Sequence, residues 1–419
     1  MKKFFLAILC LVAASSTAVA QQSALPAPAN PAAHESTTKV RQKTFEKVWM
    51  ITRDKFFDPN FNGVDWNKVH ERYAPQVAAV KTDAELYDLL NRMVGELKFS
   101  HMEIVTPDVI KALGAPPVTT GLGLRNVEGR LVVMRVLPGS SASREGLRPG
   151  FVVQRIDGEE VTDLQLALGK LHGDPHTKVR LSYLDERDAT REVTLERMPL
   201  GAGEVDRDKF GSIPLYALFE SRRLEAGIGY IRFTSFIPSL NEKIRQAVES
   251  LHDAPGLVID LRGNGGGDDE VAIRLAGLLF DKPTQLMITR TRKGDTNYYR
   301  ARPAKNPYTG MVVILMDEGS GSASEQFAAG MQEAGRAYVV GKKSGGDDMD
   351  ADIVELPTGA YFIYAAGEPR TPKGVIVEGR GVIPDLEVNL TRAGLLRGDD
   401  AQLGAAIQYI TQKMSKGTH

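Results

Sequence analysis

The spacing of apolar positions changes twice along the chain. Phe45, Val48, Trp49, Thr52 and Phe56 recur at intervals of three and four, as do Leu86, Leu89, Leu90, Met93, Val94 and Leu97. Each run predicts a helix with one buried face, and the turn cluster at residues 58–63 separates the two. From about residue 119 the pattern shortens to β-branched runs at 131–136 and 151–156, bounded by Pro138-Gly139, Pro149-Gly150 and Asp157-Gly158. Residues 179–183 and 192–195 read as a closing hairpin. From residue 227 strands and helices alternate: 229–233, then a stripe of Leu240, Ile244, Ala247, Val248 and Leu251, then the buried run 256–261. Val271, Leu275, Leu278 and Leu279 mark the next helix. Residues 311–316 read as a strand, Phe327, Ala328 and Met331 as the helix after it, and 338–341 as a further strand. The expectation is a multi-domain α+β protein: a helical domain over 39–117, a β-domain over 118–198 and a mixed α/β core over 199–419.

The first 20 residues change the picture of where such a chain works. Lys2-Lys3, an apolar run over 4–14 and Ala18-Val-Ala20 have the layout of a cleavable secretory signal, and residues 21–38, rich in Ala and Pro, read as a disordered leader. The only cysteine, Cys10, lies inside that signal, so the mature chain has neither disulfide nor thiol nucleophile. The formal charge of −1 loses two further positive charges with Lys2 and Lys3, leaving no basic field for nucleic acid or an anionic membrane. No second apolar run reaches the about 20 residues of a membrane span. An exported protein is expected, periplasmic in a bacterium or secreted.

The chemistry centres on the passage from the strand at 311–316 into Gly319-Ser-Gly-Ser322 and a helix. A serine at a strand-to-helix corner sits beside unpaired helix N–H groups, which favour an oxyanion forming in a transition state. Ser322 is the candidate nucleophile; Ser322 with Glu325 three residues on also has the spacing of a capping box. Gly263-Asn-Gly-Gly-Gly267 follows a buried strand but lacks the Gly-Lys-Ser/Thr of a phosphate loop, so it reads as a donor loop for an oxyanion. Among the histidines, His101 is set apart by its place at the end of the helical region.

Two resemblances sharpen these readings. Gly121-Leu-Gly-Leu124, Gly139-Ser-Ser-Ala-Ser-Arg-Glu-Gly-Leu-Arg-Pro-Gly150 and Ile156-Asp-Gly158 resemble a PDZ domain. That resemblance implies that the backbone of Gly121, Leu122, Gly123 and Leu124 captures the carboxylate end of a peptide. Asp260-Leu-Arg-Gly-Asn-Gly-Gly-Gly267, Gly321-Ser-Ala-Ser-Glu325, Gly335-Arg-Ala-Tyr-Val-Val-Gly341 and Gly381-Val-Ile-Pro-Asp-Leu386 resemble the C-terminal processing, or tail-specific, proteases. The better-known branch of that family uses a lysine shortly after the Gly335 to Gly341 stretch, but Asp347 holds the matching position, and Lys342 and Lys343 come too early. The branch that resembles the tricorn core protease has a Ser-His pair closing its helical region and a late glutamate, matched by Ser100-His101 and Glu378.

On that match Ser322 is the nucleophile, His101 its general base, and Ser100 with Glu378 orients the imidazole. The oxyanion donors implied are the N–H groups of Ala323 and of the Gly265-Gly266 turn. The resemblance implies an exported serine endopeptidase acting on protein or peptide substrates through an acyl-enzyme, with no metal or organic cofactor. The rivals are a Ser-Lys dyad using Lys343, a non-catalytic peptide-binding protein, and a retinoid-binding style ligand carrier on the same α/β unit.

Overall fold

A computed structural model describes residues 36–114, 117–201, 205–210 and 213–416. The secretory signal and most of the leader lie outside the described residues.

The two helices that the periodicity implies are present, with a third, Trp66–Ala79, between them that the sequence analysis does not include. Thr38–Lys55, Trp66–Ala79 and Asp83–Gly95 are α-helices, opened by the side chains of Thr37, Asp65 and Thr82, each accepting from a first-turn N–H. Their apolar faces do not close on one another alone. Phe45, Val48, Leu86, Leu90 and Met93 share one hydrophobic cluster with Met349, Phe362, Tyr364 and Ala365 from the far end of the chain. Glu103–Val105, inside the segment expected to be helical, is a strand pairing antiparallel with Tyr361–Arg370. That sheet also contains Thr284–Thr291, Thr296–Ala301 and Asp350–Glu355, so the helices form its cover rather than a separate body.

Residues 122–196 form a six-stranded antiparallel β-domain with its own core. Leu122–Val127 pairs with Arg130–Val136, and the closing hairpin pairs Val179 with Leu195, the register that turns both side chains inward. Its hydrophobic clusters also take Leu395 and Leu396 from the segment after the last core strand, and Arg392 donates to the carbonyls of Gly150 and Asp185. The β-domain is therefore clasped by the C-terminal part of the chain.

The central sheet runs Phe219–Arg223, Gly229–Phe233, Gly256–Asp260, Met311–Met316, Ala337–Gly341 and Leu386–Glu387, all parallel except the first. Gly256–Asp260 and most of Met311–Met316 are buried on both faces, which is why they read as unbroken apolar runs. The helix Ala323–Glu333 buries Phe327, Ala328 and Met331 on the sheet, and a fully buried Phe327 contributes roughly 2–3 kcal/mol. At the carboxyl ends of the two central strands the chain turns through residues 261–267 and 317–322, and the two turns face each other. Open α/β sheets place ligands at such strand ends.

Candidate active site

The two turns are laced together before any catalytic role is considered. Asp317 Oδ1 accepts the Gly263 and Gly319 N–H groups at 2.7 and 3.0 Å, and Oδ2 accepts Arg125 Nε from the β-domain at 2.7 Å. Burial pushes the Asp317 carboxyl up, but Arg125 and these N–H groups outweigh it, so it lies below the usual carboxylate range. Ser320 Oγ donates to the Leu261 carbonyl at 2.8 Å, while the Gly321 N–H and Ser324 Oγ both donate to the Asn264 carbonyl at 3.1 and 2.8 Å. In the sequence Asn264 is one residue of the glycine run, with no role of its own declared by its spacing. Its amide also holds the loop, accepting the Gly266 N–H at 2.9 Å and donating to the Phe233 carbonyl at 3.0 Å.

Ser322 stands where this lacing forces an unusual backbone, with φ 52° and ψ −125° at the residue before the helix. A non-glycine residue in that region stores strain of about 1–3 kcal/mol and persists only where its surroundings hold it. Its N–H donates to the Asp347 carbonyl at 2.9 Å and to Glu325 Oε2 at 3.1 Å. Ser322 and Glu325 take up the capping-box arrangement, with Glu325 on the Ser322 N–H, while the buried Ser322 Oγ faces the helix start without making a hydrogen bond of ordinary geometry among the described residues. Through its other oxygen Glu325 also anchors the opposite loop, accepting the Gly346 N–H at 2.7 Å and the Ser344 hydroxyl. Burial outweighs those donors and lifts its pKa to about 7.

Gly266 is pressed against the corner. A Cβ there would lie 2.6 Å from Ser322 Cβ and 2.9 Å from the Ala323 nitrogen, at a φ of 103°. Its N–H is occupied by Asn264 and its carbonyl accepts from the Phe236 N–H and Ser235 Oγ at 2.8 and 3.0 Å, so the peptide units on both sides of Gly266 are held. The Gly265 and Ala323 N–H groups have no acceptor among the described residues.

His101, Ser100 and Glu378 come together from opposite ends of the sequence. Glu378 accepts the Ser100 N–H at 2.7 Å, the Ser100 hydroxyl at 2.8 Å and the Asp348 N–H at 2.6 Å. Ser100 Oγ lies 2.8 Å from His101 Nδ1. A hydroxyl has one proton, and Ser100 gives it to Glu378, so the contact with His101 requires Nδ1–H as donor and leaves Nε2 as an acceptor. His101 is 5 % exposed, and burial depresses its pKa to about 4, which keeps the ring neutral at physiological pH. Its φ of 57° is a second strained backbone at this place. Burial raises the Glu378 carboxyl above its ordinary value despite three donors.

Residues 347–349 join the two halves: the Asp347 carbonyl takes the Ser322 N–H, the Asp348 N–H binds Glu378, and the Met349 N–H points at Ser100 Oγ from 3.4 Å. No hydrogen bond links Ser322 Oγ to His101. Lys343 is exposed, whereas Ser322 is 1 % exposed. In the β-domain, Gly121 has φ 92°, its N–H donates to Thr119 Oγ1 at 2.9 Å, and a Cβ there would collide with Ser140. With Leu122 and Gly123 it borders a cavity of about 340 Å³ that also touches Arg125, Phe219 of the central sheet and, in the laced turns, Gly263. Leu124 points the other way, into the β-domain core. Among the described residues no group of three or more His, Cys, Asp or Glu is arranged to hold a metal ion, and no helix is long and apolar enough to cross a membrane.

Comparison with known proteins agrees with this architecture. Residues 227–388 match peptidase family S41, and residues 38–95 match the tricorn protease C1 domain. Over 387 residues the chain is 27% identical to the carboxyl-terminal-processing protease of Synechocystis, aligned over 88% of this chain and 87% of that protein. It is 27% identical over 365 residues to the chloroplastic carboxyl-terminal-processing peptidase 3 of Arabidopsis thaliana, aligned over 85% of this chain and 70% of that one. The solved photosystem II D1 C-terminal processing protease has a similar fold, with a TM-score of 0.60 at 24% identity, covering 86% of this chain and 98% of that one. The protein is a serine-type peptidase, and its residues 227–388 match the model of peptidase family S41.

Proposed function

We propose that the protein is an exported endopeptidase in which Ser322 attacks the peptide carbonyl, His101 Nε2 takes the Ser322 proton, and Ser100 with Glu378 holds the imidazole in the Nδ1–H tautomer. The observation that carries this reading is the chain Glu378, Ser100, His101, joined through residues 347–349 to the Ser322 backbone. General-base catalysis needs an imidazole that is neutral and correctly oriented, and burial and the Ser100 contact supply both conditions. Ala323 N–H and Gly265 N–H serve as oxyanion donors. Gly266 serves by lacking a Cβ, since its own N–H is engaged by Asn264. In the resting protein the Ser322 hydroxyl is covered and has no base contact, so substrate entry must bring Ser322 and His101 together.

The β-domain is PDZ-like in this reading, with the Gly121 to Leu124 loop receiving the carboxylate end of an extended polypeptide. Its first long strand carries Arg125, which grips Asp317 at the root of the glycine loop, so a peptide at the loop has a mechanical route to the oxyanion site. The layout of residues 1–20 supports export. A Ser-Lys dyad is disfavoured because the Lys343 side chain is exposed while Ser322 is buried and makes no hydrogen bond to it.

The test is mass spectrometry of the mature protein after a serine-reactive fluorophosphonate, beside Ser322→Ala and His101→Ala. A single adduct on Ser322, lost in both variants, is expected. An adduct that persists in His101→Ala but vanishes in Lys343→Ala would overturn the assigned base.

A further inference from the structure

The glycine turn begins at a buried cation that the far end of the chain helps to hold. Arg262 is 7 % exposed, and every N–H of its guanidinium has an acceptor. Nε and Nη2 donate to the two oxygens of Asp260, at the end of the strand that leads into the turn, at 2.9 and 2.7 Å. Nη1 and Nη2 donate to the two oxygens of Asp400 at 2.9 and 2.8 Å, and Nη1 donates also to Gln402 Oε1 at 3.0 Å. A planar guanidinium gripped by a carboxylate on two of its edges is fixed in orientation, and it fixes the backbone that enters Gly263.

Asp400 is not placed by the core alone. The short helix Arg392–Leu396 is seated on the β-domain: Leu395 packs with Val127, Val132 and Val152, and a Cβ on Gly150 would come within 2.7 Å of Leu396 Cγ. Arg392 fastens the same helix to the Gly150 and Asp185 carbonyls. The Gly398 and Asp399 N–H groups donate back to the Leu395 and Gly394 carbonyls at 3.0 and 2.9 Å, so the stretch from Leu396 to Asp400 carries no slack. Asp400 then accepts the Leu403 N–H in the first turn of the terminal helix Ala401–Lys416, whose Ala406 and Ile410 pack on Val258 and Val313 of the central sheet. Gly263, the residue after Arg262, is held by Asp317 and so by Arg125 of the β-domain. Two adjacent residues at the root of the turn are therefore tied by separate routes to one domain.

We propose that Asp400 is a positioning residue for the oxyanion turn: acting through Arg262 it sets where the Gly265 N–H points, and the β-domain, through the strap of residues 392–400, sets Asp400. The inference rests on Ser322 as nucleophile and on the Gly265 N–H as an oxyanion donor. Such a donor acts only when aimed at the place where charge develops, and a misplacement of about 1 Å costs about 100-fold in rate. Seating of the β-domain is then a requirement of the chemistry itself, whether or not a peptide occupies the loop from Gly121 to Leu124.

The experiment reads the rate at which a small fluorophosphonate labels Ser322 of the mature protein, a reaction that needs the oxyanion site but no peptide. Asp400→Ala is expected to label at least about tenfold more slowly, and kcat on a peptide substrate should fall in the same proportion with KM within about twofold. Asp400→Asn keeps one acceptor for Arg262, should lie between, and is read alone if Asp400→Ala does not fold. Leu396→Ala loosens the strap on the β-domain and should slow labelling severalfold. Combined with the Asp400 variant it should add little further loss, because both act through one link. Native labelling rates in the folded Asp400 variants would overturn the positioning role. A native rate in Leu396→Ala, or losses that multiply in the double variant, would overturn the strap as the route from the β-domain. Absence of an adduct on Ser322 in the unsubstituted protein would overturn the nucleophile and this inference with it.

Discussion

Burial of His101 gives the protein a pH dependence whose sign and size follow from the structure. The imidazole is held to a pKa of about 4 by desolvation, against an ordinary value of 6.5. Between those two values the unfolded chain binds a proton that the folded chain refuses, so this group makes stability rise with pH. Its contribution is complete above 6.5 and is lost as pH falls through about 4. At about 1.4 kcal/mol per pH unit, the gap is worth roughly 3 kcal/mol. Buried Glu325, Glu378 and Asp348 act with the opposite sign: their raised values mean stability present below the ordinary carboxylate range and lost as pH rises through the folded value. The histidine must therefore be isolated by difference. Imidazole resonances followed by NMR, with His101→Gln identifying the peak, should show one ring still neutral near pH 5. The Ser322 labelling rate should hold its plateau through that range and fall on an acid limb nearer pH 4. A His101 resonance titrating near 6.5, with labelling falling in parallel, would show a solvated ring and refute the argument from burial.

Gly266→Ala would place a Cβ 2.6 Å from Ser322 Cβ and 2.8 Å from the Gly321 carbonyl oxygen, at a φ of 103°. The strain alone costs about 1–2 kcal/mol and relief must move the corner, so labelling and turnover should fall about 100-fold with a lower melting temperature; unchanged labelling would mean the corner yields. Glu378→Gln and Ser100→Ala should each lower kcat by about 100-fold or more with little change in KM, because both act on the imidazole rather than on substrate binding. Native kcat in either variant would remove the relay. Lys343→Ala should leave kcat/KM within about twofold, as expected of an exposed side chain away from special features, and a collapse of activity would restore the Ser-Lys alternative. Arg125→Met leaves Asp317 buried without its cation and should cost roughly 3 kcal/mol of stability. Asp317→Asn in the Arg125→Met background should recover part of that in urea unfolding; strictly additive losses would show the two side chains are not coupled.

Periodicity alone determined the elements that depend on local order. The heptad-like faces of the first helices, the β-branched runs of the middle segment and the unbroken apolar strands of the core all form at the positions their spacing implies, because 3.6- and 2-residue repeats are properties of neighbours in the chain. The strand-to-helix corner at Ser322 and the glycine turn were legible for the same reason. Tertiary structure decided the rest. Glu103–Val105 is too short to declare itself and becomes a strand only because Tyr361–Arg370 offers it a ladder. Glu378 and Ser100 are 278 residues apart and unremarkable singly; only the folded chain makes them one hydrogen-bonded unit. The choice of Gly265 over Gly266 as the free N–H depends on where the Asn264 amide points. Burial, desolvation and long-range hydrogen bonding are relations between distant residues, so composition and spacing do not carry them.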